Sequence, residues 1–335
     1  MRAWQIVAEG GIDALRLVEL PSPRPGPGEV LVRMRASSIN YRDYSIIGDP
    51  VSRGIPLPRI PNSDGAGEVV ETGPGVTGWA PGDRVASCFF QGWTDGACSA
   101  VTMANALGGT LDGVLAEEVV LRADGLVRIP DHLDFAEAAT LPCAALTAWH
   151  TLVEVGRLKA GDTILLLGTG GVSIFALQFA RLMGARAIVT SSSDEKLERA
   201  RSMGAWQTVN YRQTPDWEKA VLELTGGQGV DLTVEVGGPG TLQRSLAATR
   251  VAGTVALIGI LTGGQIDPLP VMRKSITLQG IYVGSRRMFE DMNRALASAA
   301  GLRPVIDSRF AFEDAPEAYR AMERAGHFGK LVIDV

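Results

Sequence analysis

The sequence predicts an α/β protein in two parts, a β-rich first third followed by a doubly wound parallel sheet. Three observations support this fold class. The chain has 335 residues, which is more than a single hydrophobic core usually spans. Short apolar runs separated by proline and glycine fill the first third, as in a small barrel or sandwich. From about Leu133 onwards strand patterns alternate with helix patterns, which is typical of right-handed β-α-β crossovers.

The β-rich part is predicted from apolar alternation and short apolar runs. Turn-forming stretches such as PSPRPGPGE and TGPGVTGWAPGD separate its segments. The predicted strands, in order, are RAWQIV, LRLVEL, EVLVRMRA, GAGEVVET, DRVASCFF and LAEEVVL. Short strands joined by such turns indicate a small barrel or sandwich.

The second part alternates between strands and helices. Its predicted strands are TILLL, ARAIVT, QTVN, DLTVEV, GTVALIG and ITLQGIYV. Helices are predicted over residues 172–183, 194–203, 216–224, 241–249 and 286–300. This alternation predicts a parallel, doubly wound sheet, and the tail ends in a strand that could return to the first part.

Composition argues against several classes of function. The net charge is −5, so the chain has no basic excess for a nucleic-acid surface. The N-terminal stretch MRAWQIVAEGG has no apolar run long enough for a signal peptide. The most apolar stretch, residues 163–183, is interrupted by GTGG and also contains Gln178 and Arg181. Three cysteines without a C-x-x-C pattern fit a reducing compartment. We therefore expect a cytoplasmic protein without a membrane or nucleic-acid partner.

A glycine-rich turn opens the second part. Strand TILLL runs into Gly168, Thr169, Gly170, Gly171 and Val172, and then into a helix. In a G-x-G-x-x-G turn the first glycine makes the tight turn and the second lets a pyrophosphate approach the backbone. The third position serves helix–strand packing, and the small side chain of Ser173 is tolerable there. Because a helix N-terminus favours phosphate, the turn predicts a dinucleotide site; an ordinary strand–turn–helix is the alternative.

The end of the second strand indicates which dinucleotide binds. An NAD site usually has an acid there, which accepts a hydrogen bond from the ribose 2′-OH. Here the strand ends in Ser191 and Ser192, and the first acid, Asp194, already lies in the next helix. A 2′-phosphate is repelled by a carboxylate but bound by hydroxyls and a nearby cation, which Lys196 could supply. The sequence therefore predicts NADP(H); relaxed specificity is the alternative.

The same stretch also has a purely structural interpretation. Ser192 and Glu195 match the S-x-x-E capping box, which needs no ligand. The two interpretations are compatible, because a helix cap does not supply the missing acid.

Five segments occur in a fixed order along the chain. They are DGAGEVVETGPGVTGWAPGDRV, AATLPCAALTAWHTL, the glycine turn, DEKLERARSMGA and GHFGKLVIDV. Together they resemble the medium-chain dehydrogenase/reductase superfamily. The resemblance implies a GroES-like β-barrel domain over residues 1–130, completed by about 301–335, and a Rossmann NADP-binding domain over residues 131–300. It further implies an active site in the cleft between these domains, and a homodimer with the strand near residues 276–283 as a candidate edge partner.

The zinc-dependent branch of that family binds its catalytic metal through Cys, His-Glu and Cys. By the same resemblance these positions match Asn40, then Ser63 with Asp64, then Cys143, so only the last ligand is present. One thiol with an amide and a hydroxyl is a poor substitute for the usual zinc ligands. We therefore expect no zinc.

The chain thus resembles the zinc-independent, quinone oxidoreductase-like branch, whose Asn-aromatic-x-Asp pattern matches Asn40, Tyr41 and Asp43. The resemblance also implies contacts to the 2′-phosphate and adenine from Ser192, Lys196 and Tyr211. Further cofactor contacts are implied for Thr147, Gly237, Gly238, Gly259 and Ile260.

Without a metal, the oxygen of the acceptor needs hydrogen-bond donors as negative charge develops on it. The candidates are the amide of Asn40 and a hydroxyl from Tyr41 or Tyr44, while Ser63 and Asp64 could relay a proton. Purely structural roles for these side chains are the alternative. An NADPH-dependent reductase of quinones or α,β-unsaturated carbonyls fits this set best. The alternatives are an NAD(P)-dependent alcohol dehydrogenase or carbonyl reductase, and an NADPH-binding protein without turnover.

Overall fold

The computed structural model describes residues 1–259, 261–299 and 301–335. Its contacts divide the chain into two compact units. Unit 1 comprises Met1–Leu146 and Val283–Val335, and unit 2 comprises Thr147–Tyr282. The structure therefore groups residues 131–146 and 283–299 with unit 1, whereas the sequence assigned them to the dinucleotide domain. Hydrogen bonds explain part of this difference, because the helix that begins at residue 286 donates to backbone carbonyl oxygens of a loop and a strand of unit 1.

Strands and helices are numbered in chain order over the described residues. The strands are β1 (Arg2–Ile6), β2 (Leu15–Glu19), β3 (Glu29–Ile39), β4 (Asp64–Thr72), β5 (Arg84–Ser87), β6 (Glu118–Arg122), β7 (Leu126–Arg128), β8 (Thr163–Leu167), β9 (Arg186–Ser191), β10 (Gln207–Asn210), β11 (Val230–Glu235), β12 (Thr249–Leu257), β13 (Thr277–Gly280), β14 (Ile306–Phe310) and β15 (Lys330–Asp334). The helices are α1 (Tyr41–Gly48), α2 (Ala100–Met103), α3 (Phe135–Ala138), α4 (Leu146–Trp149), α5 (Gly171–Leu182), α6 (Asp194–Ser202), α7 (Trp217–Leu224), α8 (Pro239–Ala248), α9 (Leu269–Arg273), α10 (Arg286–Ser298) and α11 (Ala315–Glu323).

Unit 1 is built on a sheet of seven strands among the described residues. Its order is β14-β15-β3-β4-β5-β7, with β6 paired to β3, and β1 and β2 form a separate antiparallel pair. The last strand, β15, runs antiparallel to β3, with Leu331 opposite Ile39. The predicted return of the tail to the first part is therefore confirmed. This pairing brings the C-terminal strand next to the end of β3, where the candidate catalytic residues begin.

Strands β3 and β4 approach each other closely, and one glycine makes this possible. A Cβ atom at Gly67 would overlap the carbonyl oxygen of Arg33 on the neighbouring strand. The pairing is also irregular nearby, with a register shift between Met34 and Ala36. The bent strand pair supports the two segments that carry the unit 1 site, one after β3 and one at the start of β4.

Unit 2 is a parallel sheet of six strands within the described part of the chain, in the order β10-β9-β8-β11-β12-β13. The predicted doubly wound parallel sheet is thus confirmed. The chain leaves β8 towards β9 and β10 on one side, then returns to β11 on the other side. Ligands of such sheets bind outside the carboxyl ends of the strands, at this point of reversal.

The helix predictions agree with the structure to within one or two residues for most elements. Helix α5 begins at Gly171, α6 at Asp194 and α7 at Trp217. The predicted end of α10, Ala300, lies outside the described residues. Among the described residues, no helix has both the length and the apolar character needed to cross a membrane.

Candidate active site and dinucleotide-binding turn

The predicted glycine turn connects β8 to α5. Gly168 has φ = 72°, a conformation that residues with a Cβ rarely adopt. A Cβ atom at Gly168 or Gly170 would meet nothing within 4 Å, so open space lies beside both residues. Gly170 is the N-cap of α5, and Gly171 and Val172 form its first turn. The turn therefore presents free space and helix-start N–H groups together, which fits a pyrophosphate.

Ser173, at the third motif position, has a definite partner. Its buried hydroxyl donates a hydrogen bond of 2.7 Å to the carbonyl oxygen of Leu167, the last residue of β8. The serine thus ties the first turn of the helix to the end of the strand. This contact explains how helix and strand pack without the expected glycine.

Three serines follow at the end of β9, and the last of them caps α6. The N–H of Lys196 donates to the hydroxyl of Ser193 at 3.3 Å, and the N–H of Ser193 donates to the hydroxyl of Ser191 at 3.3 Å. The predicted capping box of Ser192 with Glu195 is therefore wrong by one residue. The reason is that α6 begins at Asp194, which makes the residue before it the N-cap. The cap does not use the hydroxyl of Ser192, and its contact with a 2′-phosphate stays a prediction.

The first acid after β9 is engaged elsewhere. The Asp194 carboxylate accepts hydrogen bonds of 2.7 Å from the side-chain amides of Asn210 and Gln213. Tyr211 follows β10, donates its N–H to the carbonyl oxygen of Ser191 at 3.1 Å, and has an exposed side chain. The end of β9 thus presents hydroxyls rather than a carboxylate, which fits a 2′-phosphate better than a free 2′-OH.

A buried acid that the sequence did not single out organises the turn after β11. The Glu235 carboxylate accepts from the N–H of Gly237 at 2.7 Å and the N–H of Gly238 at 3.0 Å. The hydroxyl of Thr241 donates to the same oxygen at 2.6 Å. Two N–H groups and a hydroxyl on one carboxylate fix this turn. The only signal in the sequence was an acid at the end of an apolar strand.

The fold brings most of the predicted cofactor residues to one edge of the unit 2 sheet. They follow the carboxyl ends of β8, β9, β10, β11 and β12, which are parallel neighbours. Gly259 lies so close to the backbone that a Cβ atom would overlap the carbonyl oxygen of Val236. Thr147 is buried in α4, and Ile260 lies outside the described residues. This edge fits a dinucleotide, because tight backbone turns and helix starts converge on it.

In unit 1 the candidate site begins at Asn40, between β3 and α1. The Asp43 carboxylate accepts a hydrogen bond of 2.9 Å from the backbone N–H of Asn40. The side-chain oxygen of Asn40 accepts one of 2.6 Å from the ammonium of Lys330. The Nδ2 group makes no hydrogen bond of normal geometry with any described residue. It nevertheless lies near Asp64, because the Asn40 side chain is one of the groups that lower the pKa of that carboxyl group.

Asp64 lies at the centre of this cluster and is fully buried. Its carboxylate accepts from the hydroxyl of Ser63 at 2.6 Å and from the backbone N–H of Cys143 at 3.0 Å. Burial raises the pKa of Asp64 to about 6, against the opposing effect of the nearby Lys330 ammonium. The carboxyl group therefore titrates close to neutral pH, as groups that move protons often do.

Lys330 was not predicted as a site residue. It opens β15, is 3% exposed, and also donates to the carbonyl oxygen of Ile39 at 2.7 Å. Burial lowers its pKa, whereas Asp64, Cys143 and Asp43 act in the opposite direction. The one signal in the sequence was a lysine at the start of the apolar strand KLVID.

The two candidate tyrosines lie on α1. The hydroxyl of Tyr44 donates to the Glu323 carboxylate at 2.8 Å, a contact that raises the pKa of Tyr44. Tyr41 is 50% exposed, and its ring lies 5.9 Å from that of Tyr44. The structure thus brings Asn40 and Ser63 together around Asp64 and engages Tyr44 with α11. The catalytic roles of Asn40, Tyr41, Tyr44 and Ser63 stay predictions.

The residues of this cluster do not fit a catalytic zinc ion. Burial raises the pKa of the Cys143 thiol far above its usual range, so the thiolate that zinc needs is disfavoured. The oxygen of Asn40 is already engaged by the Lys330 ammonium, whose charge would oppose a second cation. Within the part of the chain that the structure describes, no group of three or more His, Cys, Asp or Glu residues could hold a metal ion.

Two protein-family profiles match the chain. Residues 26–131 match the profile described as "Alcohol dehydrogenase GroES-like domain", and residues 171–320 match the one described as "Zinc-binding dehydrogenase". The predicted GroES-like N-terminal domain is therefore confirmed.

Several curated proteins align with nearly the whole chain. A zinc-type alcohol dehydrogenase-like protein of Schizosaccharomyces pombe is 42% identical over 334 residues, which cover 97% of this chain and 96% of that protein. A crotonyl-CoA reductase of Streptomyces collinus is 31% identical and covers 96% and 81% of the two chains. A 2-haloacrylate reductase of a Burkholderia species is 30% identical, with 97% and 96% covered.

Solved structures agree with the fold along the full chain. A crystal structure from Sinorhizobium meliloti 1021 has a TM-score of 0.92 at 44% identity, covering 100% of this chain and 98% of that one. The structure of an NAD-dependent alcohol dehydrogenase has a TM-score of 0.91 at 36% identity, with both chains fully covered. A mycobacterial protein in complex with NADPH has a TM-score of 0.84 at 29% identity, again with full coverage of both.

Proposed function

Since this chain belongs to the medium-chain dehydrogenase/reductase superfamily, and is an oxidoreductase of that type, we propose that it is an NADPH-dependent, zinc-independent reductase of a quinone or an α,β-unsaturated carbonyl. The observation that carries this proposal is the cluster of Asn40, Asp64 and Lys330. This cluster offers an amide donor and a titratable carboxyl group. At the same positions a zinc-dependent enzyme needs thiolate or imidazole ligands. Two relatives named for crotonyl-CoA and a 2-haloacrylate support the unsaturated class of substrate.

The preference for NADPH over NADH is part of the proposal. Hydroxyls of Ser191 and Ser192 at the end of β9, with Lys196 in the first turn of α6, suit the charge of a 2′-phosphate. The one early acid, Asp194, is held by two amides. The mycobacterial neighbour in complex with NADPH supports this choice, whereas the NAD-dependent neighbour is the reason to test it.

Bound NADPH supplies the hydride for this reaction. On the protein side, the Nδ2 group of Asn40 would donate a hydrogen bond to the carbonyl oxygen of the acceptor as negative charge develops there. Donors fixed in advance in this way stabilise such charge more than water does, because they need no reorganisation. A proton would then pass from protonated Asp64 to the Ser63 hydroxyl, which lies 2.6 Å from its carboxylate, as that hydroxyl gives its own proton to the negatively charged oxygen of the reduced acceptor. With a pKa of about 6, Asp64 holds a proton in a useful fraction of molecules near neutral pH.

Oxidation of a saturated alcohol is the second candidate, because several relatives bear alcohol dehydrogenase names. That reaction requires a base or a metal to remove the hydroxyl proton. Asp64 has a pKa of about 6 but is fully buried, so it could remove that proton only through Ser63. Reduction of a conjugated acceptor needs no base, because the charge left by hydride addition is spread to an oxygen that Asn40 can stabilise, so we favour this reaction.

A panel of acceptors tests the substrate class. Oxidation of NADPH would be followed with a crotonyl thioester, a 2-haloacrylate, simple enones, quinones and saturated aldehydes, and alcohols would be offered with NADP⁺. We expect turnover with at least one conjugated acceptor and much slower reaction with saturated aldehydes. Faster turnover of alcohols than of every conjugated acceptor would support the alcohol dehydrogenase instead, and binding of NADPH without any turnover would leave only a binding protein.

Cytoplasmic location and assembly as a homodimer also remain proposals. The first depends on cysteine usage, and the second on the family expectation for the strand that the structure assigns as β13.

A further inference from the structure

The hydrogen bonds of Lys330 determine which way the amide of Asn40 faces. A lysine ammonium has three N–H donors and no acceptor. Its buried Nζ atom contacts the carbonyl oxygen of Ile39 at 2.7 Å and the side chain of Asn40 at 2.6 Å. A donor cannot face the NH₂ end of an amide, so Oδ1 must point to the lysine. The Nδ2 group must therefore point away from it. One of its two N–H bonds faces Asp64, whose pKa it helps to lower, and the other remains for a ligand.

Resting on the proposed function, we propose that Lys330 is a positioning residue, which holds the Asn40 carboxamide with Nδ2 directed at the oxygen of the acceptor. Two contacts fix Asn40, one on its backbone and one on its side chain. Asp43 holds the backbone N–H at 2.9 Å, and Lys330 holds the side-chain oxygen. The carboxamide does not flip, because its NH₂ group cannot accept a hydrogen bond from the ammonium, so no part of its donor capacity is lost to a second orientation.

The charge of Lys330 adds a second effect. A cation on the oxygen of an amide draws electron density from the nitrogen, so the N–H bonds become stronger donors in a buried site. The buried ammonium is tolerated because Asp64 and Asp43 both favour its charged form. The charge of Lys330 therefore strengthens the hydrogen bond from Asn40 to the acceptor oxygen, although Lys330 does not contact the substrate.

A double-mutant cycle in the full chain tests this coupling. Asn40→Ala should lower kcat by about 100-fold, the effect of removing one such donor. Lys330→Met should lower kcat by about 10-fold or more while the Kd for NADPH stays unchanged. Lys330→Arg, which keeps the charge and the donors, should recover most of the loss. If Lys330 acts through Asn40, Lys330→Met made in the Asn40→Ala background should change kcat by less than about threefold.

Lys274→Met is the matched control, because Lys274 also donates to backbone carbonyl oxygens but contacts no site residue among those described. It should leave kcat of the folded protein unchanged. Losses that multiply in the double variant would overturn the proposal, since Lys330 would then act on the site independently of Asn40. So would full activity of Lys330→Met.

A second measurement applies if Lys330→Met does not fold. In a crystal structure of the unaltered protein with NADP⁺ and a conjugated acceptor, Nδ2 of Asn40 should lie about 3 Å from the acceptor oxygen. An acceptor oxygen bound to other donors, out of reach of Nδ2, would overturn the inference while leaving the proposed function intact. The proposed function itself fails separately, if the unaltered protein oxidises NADPH with no conjugated acceptor.

Discussion

At the scale of single residues, the buried Asp64 carboxyl group makes stability depend on pH. Its pKa is raised to about 6 in the folded protein by burial, and it returns to about 4 in the unfolded chain. The folded state then binds the proton more tightly, so stability should fall as pH rises from about 4 to about 6 and level off above it. Relative to Asp64→Asn, we expect the free energy of unfolding to decline by up to about 3 kcal/mol across this range. Urea unfolding of both proteins at several pH values measures it, and parallel profiles would contradict the assigned burial effect.

The end of β9 supports a prediction about cofactor choice. Ser192→Asp places a carboxylate beside the expected 2′-phosphate, so it should raise the Kd for NADPH by about 10-fold or more and spare NADH. Lys196→Ala should weaken NADPH alone. Ser202→Asp, the same change at the other end of α6, is the control and should affect neither cofactor. Fluorescence titration measures all four proteins, and equal affinity of the unaltered protein for both cofactors would remove the basis of this prediction.

Sequence motifs identified part of the unit 1 cluster, and the rest depended on the fold. Asn40, Ser63 and Asp64 stand in two short segments with a recognisable pattern. Lys330 lies 290 residues from Asn40, and only the antiparallel pairing of β15 with β3 brings them together. A lysine before an apolar run is typical of many exposed strands, so the sequence could not distinguish a buried ammonium from an ordinary surface charge.

At the scale of elements, Lys274 stabilises the end of α8. Its ammonium donates to the carbonyl oxygens of Leu246 at 3.0 Å and Ala247 at 2.9 Å, and also to that of Thr249. Carbonyls of a last helical turn otherwise have no intrahelical partner. Lys274→Met should therefore lower the free energy of unfolding by about 1–3 kcal/mol. Lys219→Met, which removes an exposed ion pair with Asp216, should have a much smaller effect in the same denaturation assay; equal effects would contradict the capping role.

Periodicity predicted most helices of unit 2 closely, but it gave one strand too long and missed helices of unit 1. The strand predicted near residues 276–283 is confined to Thr277–Gly280, because only these residues pair with β12. Helix α11 was not predicted, although its buried residues Ala315, Ala318 and Met322 have helical spacing. The missed capping register at Ser193 has the same origin, since a cap is defined only once the first helical residue is known.

At the scale of the whole molecule, the edge of the unit 2 sheet supports a prediction about assembly. Strand β13 ends the sheet, with β12 on one side, and exposed apolar side chains such as Met272, 68% exposed, lie close by in sequence. We expect a homodimer through this edge. Met272→Asp should shift light-scattering mass towards the monomer, whereas Val101→Asp, at a 77% exposed position in unit 1, should not. A monomeric unaltered protein, or a dimer that only Val101→Asp dissociates, would contradict this edge.

The fold class was predictable because it follows from patterns that run along the whole chain, whereas the chemistry depends on a few contacts. Parallel β-α alternation and the glycine turn agree with the structure of unit 2, and the β-rich first third agrees with unit 1. The choice between a metal-dependent and a metal-free reaction depends on a few side chains around Asp64, among them Asn40, Cys143 and Lys330.

The most direct measurement is the rate of NADPH oxidation with a conjugated acceptor by protein that has been treated with chelator and analysed for metal. We predict that protein with well below one metal ion per chain retains its full rate, and that added zinc does not increase it. Loss of the rate on chelation, with recovery on addition of zinc, would contradict metal-free reduction at the Asn40 cluster.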